Sequence, residues 1–133
     1  MIFWLKLNGT VSVPAPTDLF AEGKSPKLDK EQSEEFHTVV AKGLFACKRW
    51  RPDIHAAVAA HCICLKSPNQ DDWDKLIQLL KFIYGTCNDK LVFSAEDLHV
   101  IEWYIDFDFL LNLDFKSHNG GIMSCGQGVI QTK

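Results

Sequence analysis

Apolar residues recur at helical spacing through the middle of the chain. One stripe falls at positions i, i+3, i+4, i+7, i+8 and i+11, which is typical of an amphipathic helix with one buried face. Its members are Phe36, Val39, Val40, Gly43, Leu44 and Cys47. Asp29 stands where a capping residue is favoured, and three glutamates follow it near the positive end of the helix dipole. The pattern predicts a first helix that starts at about residue 29.

Two further helices are predicted after this one. Pro52 fits a first helical position, where no amide donor is needed, and apolar positions then continue to about Lys66. The stretch "SPNQDD" opens a third helix, and Gly85 is placed to end it. Its inward-facing positions are Trp73, Leu76, Ile77, Leu80 and Ile83. Three helices joined by short turns are expected to pack as a small bundle.

After "GTCNDK" the apolar period falls toward two, which favours strands. The predicted strands are "LVFSA", "VIEWYIDFDF", "GGIMSCG" and "GVIQ". The second of them has large apolar residues on both faces, as expected of a strand at the centre of a sheet that is covered on both sides. We therefore predict an α+β fold with an extended leader or linker over 1–28, a three-helix unit over 29–86 and an antiparallel β-meander over 87–133.

Composition and charge narrow the class of protein. The 133 residues are 47% hydrophobic and 23% charged, which is ordinary for a globular domain. A formal net charge of -3 argues against a dedicated, strongly basic nucleic-acid binder, although a local basic patch stays open. The apolar start "MIFWLKL" is too short to span a bilayer and lacks the features of a secretory signal. We expect an intracellular protein, cytoplasmic or nuclear, with no membrane partner.

The cysteines do not suggest a metal site. Five cysteines occur without CxxC spacing, and in a reducing compartment they are most simply small core residues. The stretch "HAAVAAHCIC" places two histidines and two cysteines close together, but the spacing fits no standard zinc pattern.

Two segments carry the candidate chemistry. Asp106, Asp108 and Asp114 lie in the apolar stretch "WYIDFDFLLNLDFKSHNGG", where an ionised carboxylate is costly unless it is paired, bound to a metal or facing water. The stretch "KRWR" places Trp50 among Lys48, Arg49 and Arg51. These cations could bind the phosphates of a nucleic acid, or they could simply stabilise the negative C-terminal end of a helix. Lys116 is a further candidate for a phosphate contact, or a solvated turn lysine.

Three segments, in order and at the expected separations, resemble the polyprotein of copia-type LTR retrotransposons. They are "EEFHTVVAKGLFACKRWRPDI", "SPNQDDWDKLIQLLKFIYGT" and "LHVIEWYIDFDF…DFKSHNGGIMSCGQGVI". The similar region covers roughly residues 10–133. It runs from the end of the reverse transcriptase, through the connecting helices, into the first strands of ribonuclease H. The β-meander would then be the N-terminal part of a ribonuclease H-like sheet.

The resemblance implies a function and a set of site residues. Ribonuclease H cleaves the RNA strand of an RNA–DNA hybrid with two magnesium ions, which several carboxylates must hold about 4 Å apart. Asp106 matches the first of those acids, and Asp108 could be an accessory ligand. The other metal-binding acids would lie beyond Lys133, and the polymerase aspartates would precede Met1.

We therefore expect a polyprotein fragment with an ancestral role in RNA-templated DNA synthesis and hybrid cleavage, and without hydrolysis of its own. Its expected partner is an RNA–DNA hybrid or template–primer. The alternative is a noncatalytic nucleic-acid or protein binding module. An incomplete sheet further predicts self-association.

Overall fold

A computed structural model describes residues 7–21, 23–94, 97, 99–108 and 118–132, with only the backbone described for Phe107, Asp108 and His118. The helices are α1 (Lys30–Cys47), α2 (His55–Cys64) and α3 (Gln70–Gly85), and a 3₁₀ turn (Pro52–Ile54) leads into α2. The strands are β1 (Glu102–Asp108), β2 (His118–Ser124) and β3 (Val129–Thr132). This order confirms the predicted α+β class, and the proposed domain boundaries stay predictions.

α1 begins after its predicted capping residue Asp29, and α3 begins within the predicted stretch "SPNQDD". The Asp29 side chain accepts a 2.8 Å hydrogen bond from the Gln32 amide at the start of α1. At the start of α3, Asn69 accepts from the Asp72 amide at 2.9 Å, while the Asp72 carboxylate accepts from the Asn69 amide at 3.0 Å. This reciprocal pair satisfies amides that the helix itself leaves without partners.

The core lies between the three helices. Its buried members are Phe36, Val40, Cys47, Ile54, Ala57, Val58, Leu76, Leu79 and Leu80. The α1 stripe predicted from the sequence supplies three of them, and Gly43 on the same stripe allows α2 to approach. A Cβ added at Gly43 would lie 3.2 Å from Val58 Cγ2, so a larger residue there would push the two helices apart.

The described part of the leader is tied to the helical unit. Leu7, Ala15 and Leu28 pack against the core. Backbone bonds join Leu28 to Pro68 and Gln70 to Pro26, both at 3.0 Å, so the chain just before α1 lies alongside the start of α3.

The three strands form an antiparallel sheet in the order β1-β2-β3. "GGIMSCG" and "GVIQ" are confirmed as strands, while "VIEWYIDFDF" is extended in the sheet from Glu102 rather than Val100. "LVFSA" is wrong for the described residues 91–94, which form no strand. Ser94 donates one backbone bond to Gln127 at 2.9 Å, and no ladder follows it there.

β1 lies at the edge of the described sheet, and β2 lies at its centre. Trp103, Tyr104 and Ile105 are 52%, 60% and 62% exposed. Among the described residues this apolar strand is therefore exposed at a sheet edge, as the expected incomplete sheet implies. Whether the sheet is ribonuclease H-like stays a prediction.

A tight turn at the end of β2 brings segment 91–94 against the sheet. Gly128 has a φ of 90°, a conformation that residues with a Cβ seldom adopt. A Cβ built there would overlap the carbonyl oxygen of Val92. Glycine is required at this position both by its backbone conformation and by the approach of a second backbone segment.

No helix in the described residues has the length and apolar character needed to cross a membrane.

Candidate functional site

The strand that carries Asp106 faces a cleft of about 600 Å³. Asp106 is exposed on β1 and pairs in register with Gly120 on β2. The opposite wall comes from the 3₁₀ turn and α2. Residues from both walls include Asp53, His55, Ala56, Ala59, Asp106 and Asn119. The cleft therefore lies between the two halves of the fold, with one acid from each half, Asp53 and Asp106, in its lining.

The described residues do not provide a magnesium site. Among the side chains that the structure describes, no group of three or more His, Cys, Asp or Glu residues is placed to hold a metal ion. A pair of magnesium ions needs several carboxylates, and Asp106 supplies one. The side chain of Asp108 and the whole of Asp114 and Lys116 lie outside the described residues. These donors do not fit Mg²⁺, so no metal-dependent step follows from them.

Among the histidines and cysteines of α2, His61 is buried and Cys62 packs against the core, while His55 is half-buried in the cleft wall. His61 is 2% exposed and packs edge-on against the Phe36 ring, with 5.8 Å between centroids. Burial lowers the pKa of His61 to about 4, which keeps the imidazole neutral near pH 7. Burial likewise raises the pKa of the Cys47 and Cys62 thiols, so both stay protonated.

The basic segment follows α1 directly. The carbonyl oxygen of Ala46 accepts backbone bonds from Arg49, Trp50 and Arg51, at 3.1, 3.0 and 3.1 Å. These bonds close the end of the helix and fix the turn that follows. Lys48, Arg49 and Trp50 are exposed in that turn.

Arg51, in contrast, makes its contacts within the protein. Its Nε donates to Asp53 Oδ1 at 2.9 Å, and its Nη2 donates to Asp53 Oδ2 at 2.8 Å and Thr86 Oγ1 at 2.7 Å. Its side chain is 14% exposed, and the guanidinium lies 5.6 Å from the centroid of the Phe82 ring. The hydrogen bonds to Asp53 raise the pKa of Arg51 further. These contacts join the 3₁₀ turn to the end of α3 and leave Lys48 and Arg49 as the outward cations of the segment.

Phe45 completes this surface, and the sequence analysis missed it. Phe45 is 58% exposed and Trp50 is 53% exposed, and their rings meet edge to face with centroids 5.6 Å apart. The Arg49 guanidinium lies 5.5 Å from the centroid of the Phe45 ring. One signal was available, because Phe45 is a large aromatic residue that falls outside the apolar stripe of α1.

Comparison with known proteins gives one informative similarity. No family model and no solved structure matches the chain. The chain is 27% identical over 116 residues to the retrovirus-related Pol polyprotein from transposon TNT 1-94 of Nicotiana tabacum. The chain is similar to a retrotransposon polyprotein. The aligned region covers 86% of this chain and 8% of the tobacco protein, so the chain spans a small part of that relative.

This similarity extends across both halves of the fold. At 86% of the chain, the aligned region must contain all three helices and β1 wherever it begins. The surface at the end of α1 and the cleft beside Asp106 are therefore two candidate sites within one polyprotein-like segment.

Proposed function

We propose that this chain is the part of a copia-type polyprotein that spans the end of reverse transcriptase, its connecting helices and the first strands of ribonuclease H. The similarity to a Pol polyprotein over 86% of the chain carries this proposal. The order of elements supports it, since three helices precede an antiparallel sheet and Asp106 lies on the first strand. The whole activity would be RNA-templated DNA synthesis and removal of RNA from hybrids.

The contribution of this segment would be to connect and position rather than to hydrolyse. Asp106 is the only acid of the expected catalytic set whose side chain the structure describes, and it has no grouped ligands among those residues. A lone exposed carboxylate neither orients two cations nor activates a water. The chain by itself is then expected to leave an RNA–DNA hybrid intact.

A cleavage assay tests this proposal. The purified chain is incubated with Mg²⁺ and an end-labelled RNA–DNA hybrid, beside Asp106→Asn and the control Asp74→Asn, an exposed acid on α3. All three proteins should leave the RNA uncut. Cleavage that Asp106→Asn abolishes and Asp74→Asn preserves would show a working active site and overturn the noncatalytic assignment.

A second candidate function is noncatalytic binding of nucleic acid by the same segment. The exposed Lys48 and Arg49, held in a fixed turn after α1, favour it. Cations of this kind neutralise phosphates, so binding would weaken as salt rises. Arg51 is left out of this site because its partners lie within the protein.

A further inference from the structure

The two exposed aromatic rings at the end of α1 form one surface with the cations beside them. We call Phe45 and Trp50, with Lys48 and Arg49 at their side, the aromatic platform. More than half of each ring-bearing residue is open to solvent, at 58% for Phe45 and 53% for Trp50. Exposure of this apolar ring surface to water is unfavourable, and a ligand that covers the rings removes the unfavourable contact with water.

The platform is held in place before any ligand arrives. The three backbone bonds to Ala46 fix residues 49–51, and the edge-to-face contact at 5.6 Å fixes the Trp50 ring against Phe45. The Arg49 guanidinium over the Phe45 ring limits the freedom of a long side chain. A preorganised surface loses less conformational entropy on binding.

The charge of the platform is opposite to that of the whole chain. Lys48 and Arg49 are exposed in the turn beside the rings, and Lys42 is exposed about one turn before Phe45 on α1, while the chain carries a formal charge of -3. Asp53, the acid that follows the segment, is already paired with Arg51 at 2.8 Å. A local cluster of cations with two aromatic faces is complementary to a ligand that combines phosphates with flat rings.

We propose that the aromatic platform binds single-stranded nucleic acid, with unpaired bases stacked on Phe45 and Trp50 and phosphates contacting Lys48 and Arg49. Stacking on aromatic side chains needs a free base face, which a single strand offers and the interior of a duplex does not. One strand of nucleic acid supplies both bases for the rings and phosphates for the cations, whereas a protein partner would need separate apolar and acidic residues. The inference rests on the proposed nucleic-acid role of this segment. It adds that the nucleic acid is single-stranded and that Phe45 and Trp50 recognise its unpaired bases.

Fluorescence anisotropy with three labelled probes tests the proposal. The probes are an oligothymidylate, an abasic strand with the same number of phosphates, and an RNA–DNA hybrid. The intact chain should bind the oligothymidylate about tenfold more tightly than the abasic strand, because only the former can stack. Phe45→Ala and Trp50→Ala should each remove most of that difference and leave the affinity for the abasic strand unchanged.

Matched variants separate stacking from charge and from folding. Trp50→Phe keeps a ring and should retain the preference for bases. Lys48→Ala with Arg49→Ala should weaken binding of all three probes and lower its salt dependence. Tyr84→Ala removes an equally exposed aromatic residue on α3 and should change nothing, and circular dichroism confirms that each variant is folded.

Each other outcome has a defined meaning. Equal binding of the oligothymidylate and the abasic strand by the intact chain overturns the stacking inference, while charge-dependent binding of the hybrid would leave the second candidate function standing. Failure to bind any probe at low salt removes both. If Phe45→Ala and Trp50→Ala alter only self-association measured by light scattering, the platform is a protein interface and the inference is wrong.

Discussion

At the scale of single residues, the position of His61 makes the fold sensitive to acid. Its imidazole is 2% exposed, lies against Phe36 and has its pKa lowered by burial to about 4. A histidine in the unfolded chain has a pKa of about 6.5. Between these two values the unfolded state binds the proton more readily than the folded state, so falling pH favours unfolding.

The free energy of unfolding should therefore be about 2 kcal/mol lower at pH 5 than at pH 7.5 through this one group. The contribution of His61 is fully present above pH 6.5 and declines as pH falls toward about 4. Urea unfolding at a series of pH values measures it. His61→Leu should flatten the dependence between pH 7.5 and 5, and the exposed control His37→Gln should leave it unchanged. An unaltered dependence in His61→Leu would contradict this assignment.

The local sequence identified the basic segment but did not show which of its cations face solvent and which face inward. Lys48, Arg49 and Arg51 are nearly adjacent, yet the Arg51 guanidinium donates both to the neighbouring Asp53 and to the hydroxyl of Thr86, 35 residues away. A partner that distant leaves no local pattern. Phe45 was missed for a related reason, because its ring partner Trp50 contacts it only after the chain reverses at the Ala46 carbonyl.

At the scale of elements, the caps decide where the helices begin. Asn69 accepts from the Asp72 amide, and its Nδ2 also donates to the Gly23 carbonyl at 3.4 Å. Asp29 makes the corresponding bond to Gln32 at an exposed position. The start of α3 is thus part of the contact with the leader, while the start of α1 is a local feature.

Asn69→Ala should lower the free energy of unfolding by about 1–2 kcal/mol, and Asp29→Ala by about 1 kcal/mol. The larger loss is expected for Asn69 because its contact with the leader is lost as well. Chemical denaturation measures both. Asn69→Asp keeps the cap acceptor but cannot donate to the Gly23 carbonyl, so its stability should lie between those of Asn69→Ala and the parent protein. A smaller loss for Asn69→Ala than for Asp29→Ala would contradict the role given to the leader contact.

The way each element satisfies its backbone explains why the helices were predicted correctly and the strand "LVFSA" was not. A helix satisfies its own backbone, so periodicity and caps suffice to place it. A strand exists only with a neighbour, and alternation in "LVFSA" cannot reveal whether one is present. In the structure Ser94 makes a single bond to Gln127, and Leu91 instead lines a cavity of about 330 Å³ beside the helical core.

At the scale of the whole molecule, the described sheet leaves a broad apolar surface open. Trp103 and Ile105, two residues apart on β1, share a face and are 52% and 62% exposed. Other exposed apolar residues of the strands are Tyr104, Ile122 and Ile130. Large apolar residues exposed on both faces of a sheet promote association between molecules.

The purified chain should therefore self-associate as its concentration rises. Light scattering across a dilution series measures the change in mean mass. Replacing both Trp103 and Ile105 by Lys should shift association to higher concentration through charge repulsion, whereas Val13→Lys, an exposed apolar position in the leader, should not. A single monomeric species at all concentrations would contradict this expectation.

The tight turn at Gly128 constrains how related chains can vary. Gly128 has a positive φ, and the Val92 carbonyl oxygen lies so close to it that the site holds a hydrogen atom but not a Cβ. Segment 91–94 can therefore lie against the sheet only because residue 128 has no Cβ. A relative that aligns with a different residue at this position must also carry its segment 91–94 along another path, and the two changes can be inherited only together.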